Sequence, residues 1–311
     1  MSILGKIIPI FIFLFLGNLF KTKNFFLENT VEELKRFIIN FSLPALLFLA
    51  FLNMQIRSDY WLIVVTIFLV NLIMLLVGKV VSPLLGLKDP YAPLLFTGFE
   101  VGMLGIPLFG AIYGVENVQH FALLDLGQEI YVWFVLLAIL YYINQKSTHY
   151  VWLIKKFFSS PIIIAIILGL ILNIAGLKII IYQNYFLKGL LEALEWLSSI
   201  VIPLILIVIG YEIKFSLQNL VLPLKIVTLR TIFMLILAVI ISNFLFSLKL
   251  KLSLIYHIAL YSMFVLPPPF IIPLFISKEK SQPFILNTLS LGTIITLIIF
   301  TLFSFYYQIL F

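Results

Sequence analysis

Three carboxyl groups and one guanidinium lie inside stretches of this chain that are otherwise apolar. Glu100 sits about ten residues into an apolar run that begins near position 91. Ten residues of helix rise roughly 15 Å, which puts it near the middle of a hydrocarbon layer about 30 Å thick. A charge at that depth costs several kcal/mol unless it faces a cavity, meets a partner or takes up a proton. Glu100 is therefore a candidate proton carrier; the plainer alternative is a neutral carboxyl bonding between helices. Asp125 and Glu129, at i and i+4 in the next run with Gln128 beside them, share one helix face. Asp125 could instead sit at a lip, with Glu129 paired to a cation such as Arg230. Arg230, a dozen residues into the eighth apolar run, is a counter-charge for Glu100 or Glu129, an anchor for an organic anion, or a side chain that snorkels to the surface.

Glycine and proline mark where such groups would be used. Gly98, Gly102, Gly105, Gly110 and Gly114 place five of the 15 glycines, with Pro107, in one stretch. Pro267, Pro268, Pro269 and Pro273 gather four of the 14 prolines within seven residues. Three consecutive prolines cannot continue an α-helix, because each lacks an N–H and clashes with the preceding turn. The residue before each proline is also pushed toward extended backbone. Both segments are predicted to unwind near mid-membrane and cross, leaving bare N–H groups and positive half-helix ends to receive an anion. The simpler alternative is a pair of kinked helices with glycines serving close packing. Of the neutral polar residues, Asn40, Thr97, Ser262 and Asn287 lie nearest these segments and are the candidate ligand contacts. Asn71, Asn173, Thr288 and Ser290 are read as hydrogen bonds between helices.

Composition sets the elements that must hold these groups. The chain has 311 residues, 63% apolar and 11% charged, against roughly a quarter charged in soluble domains. A mean hydropathy of +1.20 leaves too little polar surface to coat a soluble globule. The expected fold is all-α and polytopic, with ten transmembrane segments at 3–20, 37–54, 60–85, 91–114, 119–143, 161–181, 189–213, 219–247, 254–276 and 283–308. The first is read as a retained helix rather than a leader, since Leu16-Gly17-Asn18-Leu19-Phe20 offers no small-x-small cleavage site. Thr30 and Glu33 have capping-box spacing for the start of an interfacial helix. The polar stretch 144–160, with Lys146, His149, Lys155 and Lys156 among Tyr150, Trp152, Phe157 and Phe158, reads as an amphipathic cytoplasmic linker.

That linker divides 1–143 from 161–311, and the second half repeats the first. Pro9 and Gly17 answer to Pro161 and Gly169, an offset of 152. Pro44 answers to Pro203, offset 159, and Ile106-Pro107-Leu108-Phe109 to Ile272-Pro273-Leu274-Phe275, offset 166. Prolines and glycines at matched places suggest matched helix breaks. Five segments per half is an odd number, so the repeats would be inverted, as in proteins that open alternately to each side. With the N-terminus outside, 14 of the 20 Lys and Arg fall on the inner loops and flanks: Lys21, Lys23, Lys35, Arg36, Lys79, Lys88, Lys146, Lys155, Lys156, Lys214, Lys225, Arg230, Lys278 and Lys280. Both termini are then extracytoplasmic.

Other classes find little support. The net charge of +7 comes from basic residues scattered between apolar runs, which fits anchoring at anionic lipid and not a nucleic-acid stripe. His120, His149 and His257 are far apart, and neither a His-Glu-x-x-His nor a Gly-x-Ser-x-Gly motif occurs. Asp125-x-x-x-Glu129 faintly suggests a magnesium–diphosphate motif, but the other half has Asn287, Thr288 and Ser290 where a second acidic motif would stand. No enzyme, cofactor or metal is expected. There is no Cys, so redox compartment is not readable.

Four motifs carry a resemblance. Leu43-Pro44-Ala45-Leu46-Leu47-Phe48, Gly102-Met103-Leu104-Gly105-Ile106-Pro107, Ile202-Pro203 through Ile209-Gly210, and Leu266-Pro267-Pro268-Pro269-Phe270-Ile271-Ile272-Pro273 resemble the auxin efflux carrier family. That family includes plant auxin exporters and bacterial permeases for malonate and similar organic acids. The resemblance implies the inverted-repeat fold shared with bile-acid and sodium–proton transporters, a crossover at the fourth and ninth segments, and a homodimer. It implies a carrier of small organic anions in the cell membrane, with Pro107 and Pro267 to Pro273 as the crossover breaks. Antiporters of that fold keep coupling carboxylates on the fifth helix, so Asp125 and Glu129, with Glu100 and Arg230, become candidates for proton or sodium coupling. The alternative function is a cation–proton antiporter. The family commonly has Asn just before Gly-x-x-Gly-x-Pro, where this chain has Glu100.

Overall fold

In lipid every backbone polar group must be bonded within its own segment, so a chain of this composition resolves into helices. The computed structural model describes residues 3–144, 150–213, 220–247, 252–276 and 282–309, and among them every regular element is helical. The α-helices are α1 (Ile3–Thr22), α2 (Glu28–Phe37), α3 (Leu43–Asn53), α4 (Tyr60–Leu84), α5 (Ile106–Tyr113), α6 (Val118–Tyr131), α7 (Leu137–Ile143) and α8 (Tyr150–Phe158). Beyond them come α9 (Pro161–Ile174), α10 (Lys178–Gln183), α11 (Tyr185–Ser199), α12 (Val201–Glu212), α13 (Val221–Ser247), α14 (Leu254–Phe264) and α15 (Gln282–Ile309). Single π-helical turns join α2 to α3 and α6 to α7.

Among the described residues, eight stretches are long and apolar enough to cross a membrane, and the pair α8–α9, bent by 60°, makes a ninth if it is one span. Outward faces such as Leu4, Ile8, Phe11, Ile12 and Phe15 of α1 are exposed and wholly apolar, as lipid contact requires. Two expected spans are shorter than the sequence suggested. The segment expected at 161–181 is helical only to Ile174, where Gly176 at φ 68° turns the chain. There Leu177 N–H reaches Leu172 O and Gly176 N–H reaches Asn173 O, the Schellman pattern that ends a helix. The segment expected at 254–276 is helical only to Phe264. The capping box is not formed: α2 starts at Glu28, two residues before Thr30, and its N-cap Leu27 makes no side-chain cap. A carboxylate in that first turn already complements the helix end. In α8, Leu153 is buried while Lys155 and Lys156 are exposed, in keeping with an interfacial helix. Lys146, His149, Lys214, Lys278 and Lys280 lie outside the described residues.

Two compact units interleave the halves of the sequence. The first comprises Met1–Ser58, Gly102–Ala122 and Ile154–Ile213; the second comprises Asp59–Val101, Leu123–Leu153 and Lys214–Phe311. Within the first unit, α1 packs along α12 and α9 along α3. Glycine permits both approaches. A Cβ on Gly17 would overlap the carbonyl of Ile207, one on Gly210 that of Leu14, and one on Gly169 that of Phe48. Asn173 fastens α9 to the end of α3 by donating to Phe51 O (2.8 Å) and Met54 O (2.7 Å). The repeat-related prolines break nothing here. Pro9 lies inside a continuous α1, and Pro161 is the first residue of α9, where a missing N–H is harmless.

Candidate functional site

The buried polar side chains of the second unit gather around two places where helix gives way. After a 3₁₀ turn at Ala92–Phe96, Thr97 is extended (φ −113°, ψ 164°) and Gly98 takes φ 72°. Helix resumes only with the π turn Val101–Gly105 that leads into α5. A side chain at Gly98 is excluded twice over, by its left-handed backbone and by the ring of Pro269 that a Cβ would strike. The second interruption comes after α14. Val265 to Ile271 lies outside regular helix, and a 3₁₀ turn, Ile272–Phe275, succeeds it.

These positions put the main unwinding ahead of Pro107. Pro273 sits in the first helical turn after its interruption, where no N–H is required, while Pro107 follows the π turn Val101–Gly105. The unwinding lies upstream, at 97–100 and 265–271. The reason is local: Gly98 supplies the positive φ in one segment, and Pro267, Pro268 and Pro269 withhold donors in the other.

The segments bond to each other. Glu100 N–H donates to Pro267 O (2.9 Å), and Phe270 N–H donates to the Glu100 carboxylate Oε2 (2.6 Å). Arg230 joins them again: Nη2 donates to Gly98 O (2.6 Å) and Nη1 to Leu266 O (2.5 Å). Its guanidinium lies 5.6 Å from the centroid of Phe99, which stacks on Phe264. Two more carbonyls freed by unwinding are taken by neighbouring helices. Gln128 Nε2 donates to Phe99 O (2.8 Å), and the Thr296 hydroxyl to Val265 O (2.5 Å). Asn71 accepts Gly98 N–H at Oδ1 (2.8 Å), and its backbone O takes the Thr97 hydroxyl (2.9 Å). The expected bare amides are therefore not found at Gly98, Glu100 and Phe270. Three prolines have none to offer, and these three N–H groups are bonded within the protein.

The bonding repeats at the offsets seen in the sequence. Phe99 and Val265 stand 166 apart, as Pro107 and Pro273 do, and each carbonyl is capped by a side chain from the next long helical region. Asn71 and Arg230 stand 159 apart, as Pro44 and Pro203 do, but they meet the same residue differently: Asn71 accepts Gly98 N–H and Arg230 donates to Gly98 O.

Of the candidate residues, Thr97, Glu100, Asp125, Glu129, Arg230, Ser262, Pro267, Pro268, Pro269, Pro273 and Asn287 belong to the second unit. Gly102, Gly105, Pro107 and Asn40 belong to the first. Asn40 donates to Arg36 O of its own helix, so its hydrogen bond is local. Asp125 is 4% exposed, which removes the lip alternative; it lies in electrostatic reach of Glu129 and Glu100. Glu129 accepts from Trp133 Nε1 at 2.8 Å. Arg230 is 2% exposed and so does not snorkel, and its two terminal nitrogens are spent on backbone carbonyls. Asp125 Oδ1, Gln128 Oε1, Arg230 Nε and Ser262 Oγ are buried with no hydrogen-bond partner among the described residues. No group of three His, Asp or Glu among those residues forms a metal site.

Sequence reasoning read Asn71 only as a bond between helices, without its place at the interruption, and passed over Thr296. The offset to Arg230 could have singled out Asn71, whereas Thr296 is one of several hydroxyls on α15 and carries no signal of its own.

A family model described as membrane transport protein matches residues 2–304, nearly the whole chain. No curated relative matches it.

Proposed function

This chain belongs to the membrane transport protein family, the auxin efflux carrier family, and from that premise we propose that it is a secondary carrier of small organic anions such as carboxylates. The family is made up of transporters, and the apolar helices make this one an integral membrane protein. The observation that carries the anion reading is the Glu100 carboxylate on Phe270 N–H, between two interrupted helices. A place that holds one carboxylate against a backbone N–H, near a buried guanidinium, has the chemistry to hold another. Pro267, Pro268, Pro269 and Pro273 are the backbone frame of that site in this reading. Thr97, Ser262 and Asn287 line it.

The mechanism is alternating access by two inverted five-segment repeats, ten spans in all, in the cell membrane with both termini outside. Three features favour a duplicated origin. α1 packs on α12 and α9 on α3 through glycines 152 residues apart, the interruptions recur at offset 166, and Asn71 and Arg230 recur at offset 159. Membership of the family supports a homodimer.

The deciding experiment is uptake and efflux of labelled mono- and dicarboxylates in proteoliposomes. Carboxylate flux above empty liposomes, lost in Arg230→Ala, is the expected result. If no member of a broad panel exceeds empty liposomes in either direction, the anion reading is wrong.

A second reading has its own observation. Asp125 Oδ1 and Gln128 Oε1 are buried acceptors without partners among the described residues, and Asp125 lies near Glu129 and Glu100. Acceptors left open inside an apolar unit suit a monovalent cation, so the alternative is a cation–proton antiporter. It expects sodium- or potassium-dependent proton flux abolished by Glu129→Gln.

A further inference from the structure

Glu100 stands where a transported anion would stand. Its Oε2 accepts Phe270 N–H at 2.6 Å, while its own N–H is tied to Pro267 O at 2.9 Å. The side chain is thus held at the junction from both ends of the residue. No second donor of this kind comes from the triplet beside it, because Pro267, Pro268 and Pro269 carry no N–H. A substrate carboxylate that is to use Phe270 N–H must therefore displace Glu100, and two carboxylates at such range repel strongly in a low-dielectric interior.

Charged and titratable groups reach the same junction. Asp125 on α6 lies in electrostatic reach of Glu100 and of Glu129 on the same helix, and adds negative charge. Tyr131 is also on that helix. Arg230 on α13, bonded to Gly98 O and Leu266 O, is positive and favours an anion here, but one positive charge does not offset a second carboxylate placed beside Glu100 and Asp125. The residues that reach the segments from α4 and α15, Asn71 and Thr296, are neutral.

Taking the carrier reading of this chain as its basis, we infer that Glu100 is a tethered surrogate for the substrate, and that it must accept a proton before a substrate carboxylate can replace it, so that each carboxylate crosses with one proton. The exchange balances. A proton from the entry side adds to the Glu100 carboxylate, and the bond from Phe270 N–H passes from Oε2 to a substrate oxygen. On the exit side the substrate leaves, Glu100 loses its proton to that solution, and Oε2 returns to Phe270. Residue 100 is then what decides whether this member of its family is proton-coupled, since an amide there has no proton to give.

The test uses the full chain and pyruvate, a carboxylate ionised from about pH 5 to about pH 8. In purified protein, pyruvate is expected to raise the thermal unfolding midpoint of the wild type at the lower pH, with affinity roughly a hundredfold weaker at the higher. Glu100→Gln is expected to bind pyruvate equally at both, and Glu100→Asn serves if that variant folds poorly. Asp125→Asn, which removes one neighbouring negative charge, is expected to move the pH at which binding weakens without abolishing the dependence. In liposomes loaded with a pH dye, the wild type moves one proton per pyruvate, and Glu100→Gln moves pyruvate without protons. Binding that ignores pH in the wild type, or a dependence that survives in Glu100→Gln or vanishes in Asp125→Asn, overturns the gate while leaving the carrier intact. Absence of pyruvate binding and flux in every protein overturns the anion reading and the gate with it.

Discussion

The first interruption, Thr97 to Glu100, leaves the helix through a glycine at φ 72° and keeps an N–H on every residue. The second, Val265 to Phe270, leaves through three prolines that have none. Carbonyls behave alike in both: Phe99 O and Val265 O are each capped by a side chain, and Arg230 takes one carbonyl from each segment. Donors do not. Gly98 N–H goes to Asn71, whereas Phe270 N–H, just past the prolines, goes to a carboxylate. The two interruptions thus share their acceptor chemistry and differ in their donor chemistry. On the carrier proposal, that one-sidedness gives an anion one preferred place.

The largest test of this comparison removes what the two segments share. Arg230→Ala leaves Gly98 O and Leu266 O without partners at once, and unsatisfied buried groups cost about 1–3 kcal/mol each. A loss on the order of 4 kcal/mol, read as a lowered unfolding midpoint, is expected together with loss of flux. Arg230→Lys is expected to recover only part, because one ammonium does not reproduce a planar fork between two carbonyls. Next comes Gly98→Ala, which strains the left-handed backbone and strikes Pro269. It is expected to cost roughly 2–3 kcal/mol, while Gly102→Ala, whose Cβ would meet only Leu43 at ordinary contact distance, changes the midpoint little. The equivalence of the caps is sharper still. Gln128→Leu and Thr296→Val each strand one carbonyl, so each is expected to cost about 1–2 kcal/mol, and a large difference between them would break the duplicate account. Smallest is Pro268→Ala, which adds an N–H at a place that has none. A stability change under about 1 kcal/mol, with altered selectivity among carboxylates in the flux assay, is expected.

Much of the architecture was legible from composition and spacing. Apolar runs long enough to span lipid marked the helices, and the clustered glycines and prolines marked the neighbourhoods of both interruptions. Local punctuation was harder to assign. The matched pattern suggests breaks at Pro9 and Pro161, yet Pro161 opens α9, where a proline gives up nothing, and Pro9 sits within an uninterrupted α1. Gly17 and Gly169 mark the matched pattern in the sequence, but their physical role, letting one helix approach another's carbonyls, needed the packing.

The site divides the same way. Sequence placed Glu100 deep in apolar surroundings, because its run allows no short path to water, but left Asp125 free to sit at a lip and Arg230 free to snorkel. It did not say that the terminal nitrogens of Arg230 serve backbone carbonyls, or that the Glu100 carboxylate takes Phe270 N–H. Those outcomes depend on which freed carbonyls and amides come within about 3 Å of which side chains. Such distances are set by the packing of residues more than a hundred positions apart, as Gly98 with Arg230 and Glu100 with Phe270. Burial is a property of a segment and is written along the chain; partnership is a property of the fold and is decided only when the segments meet.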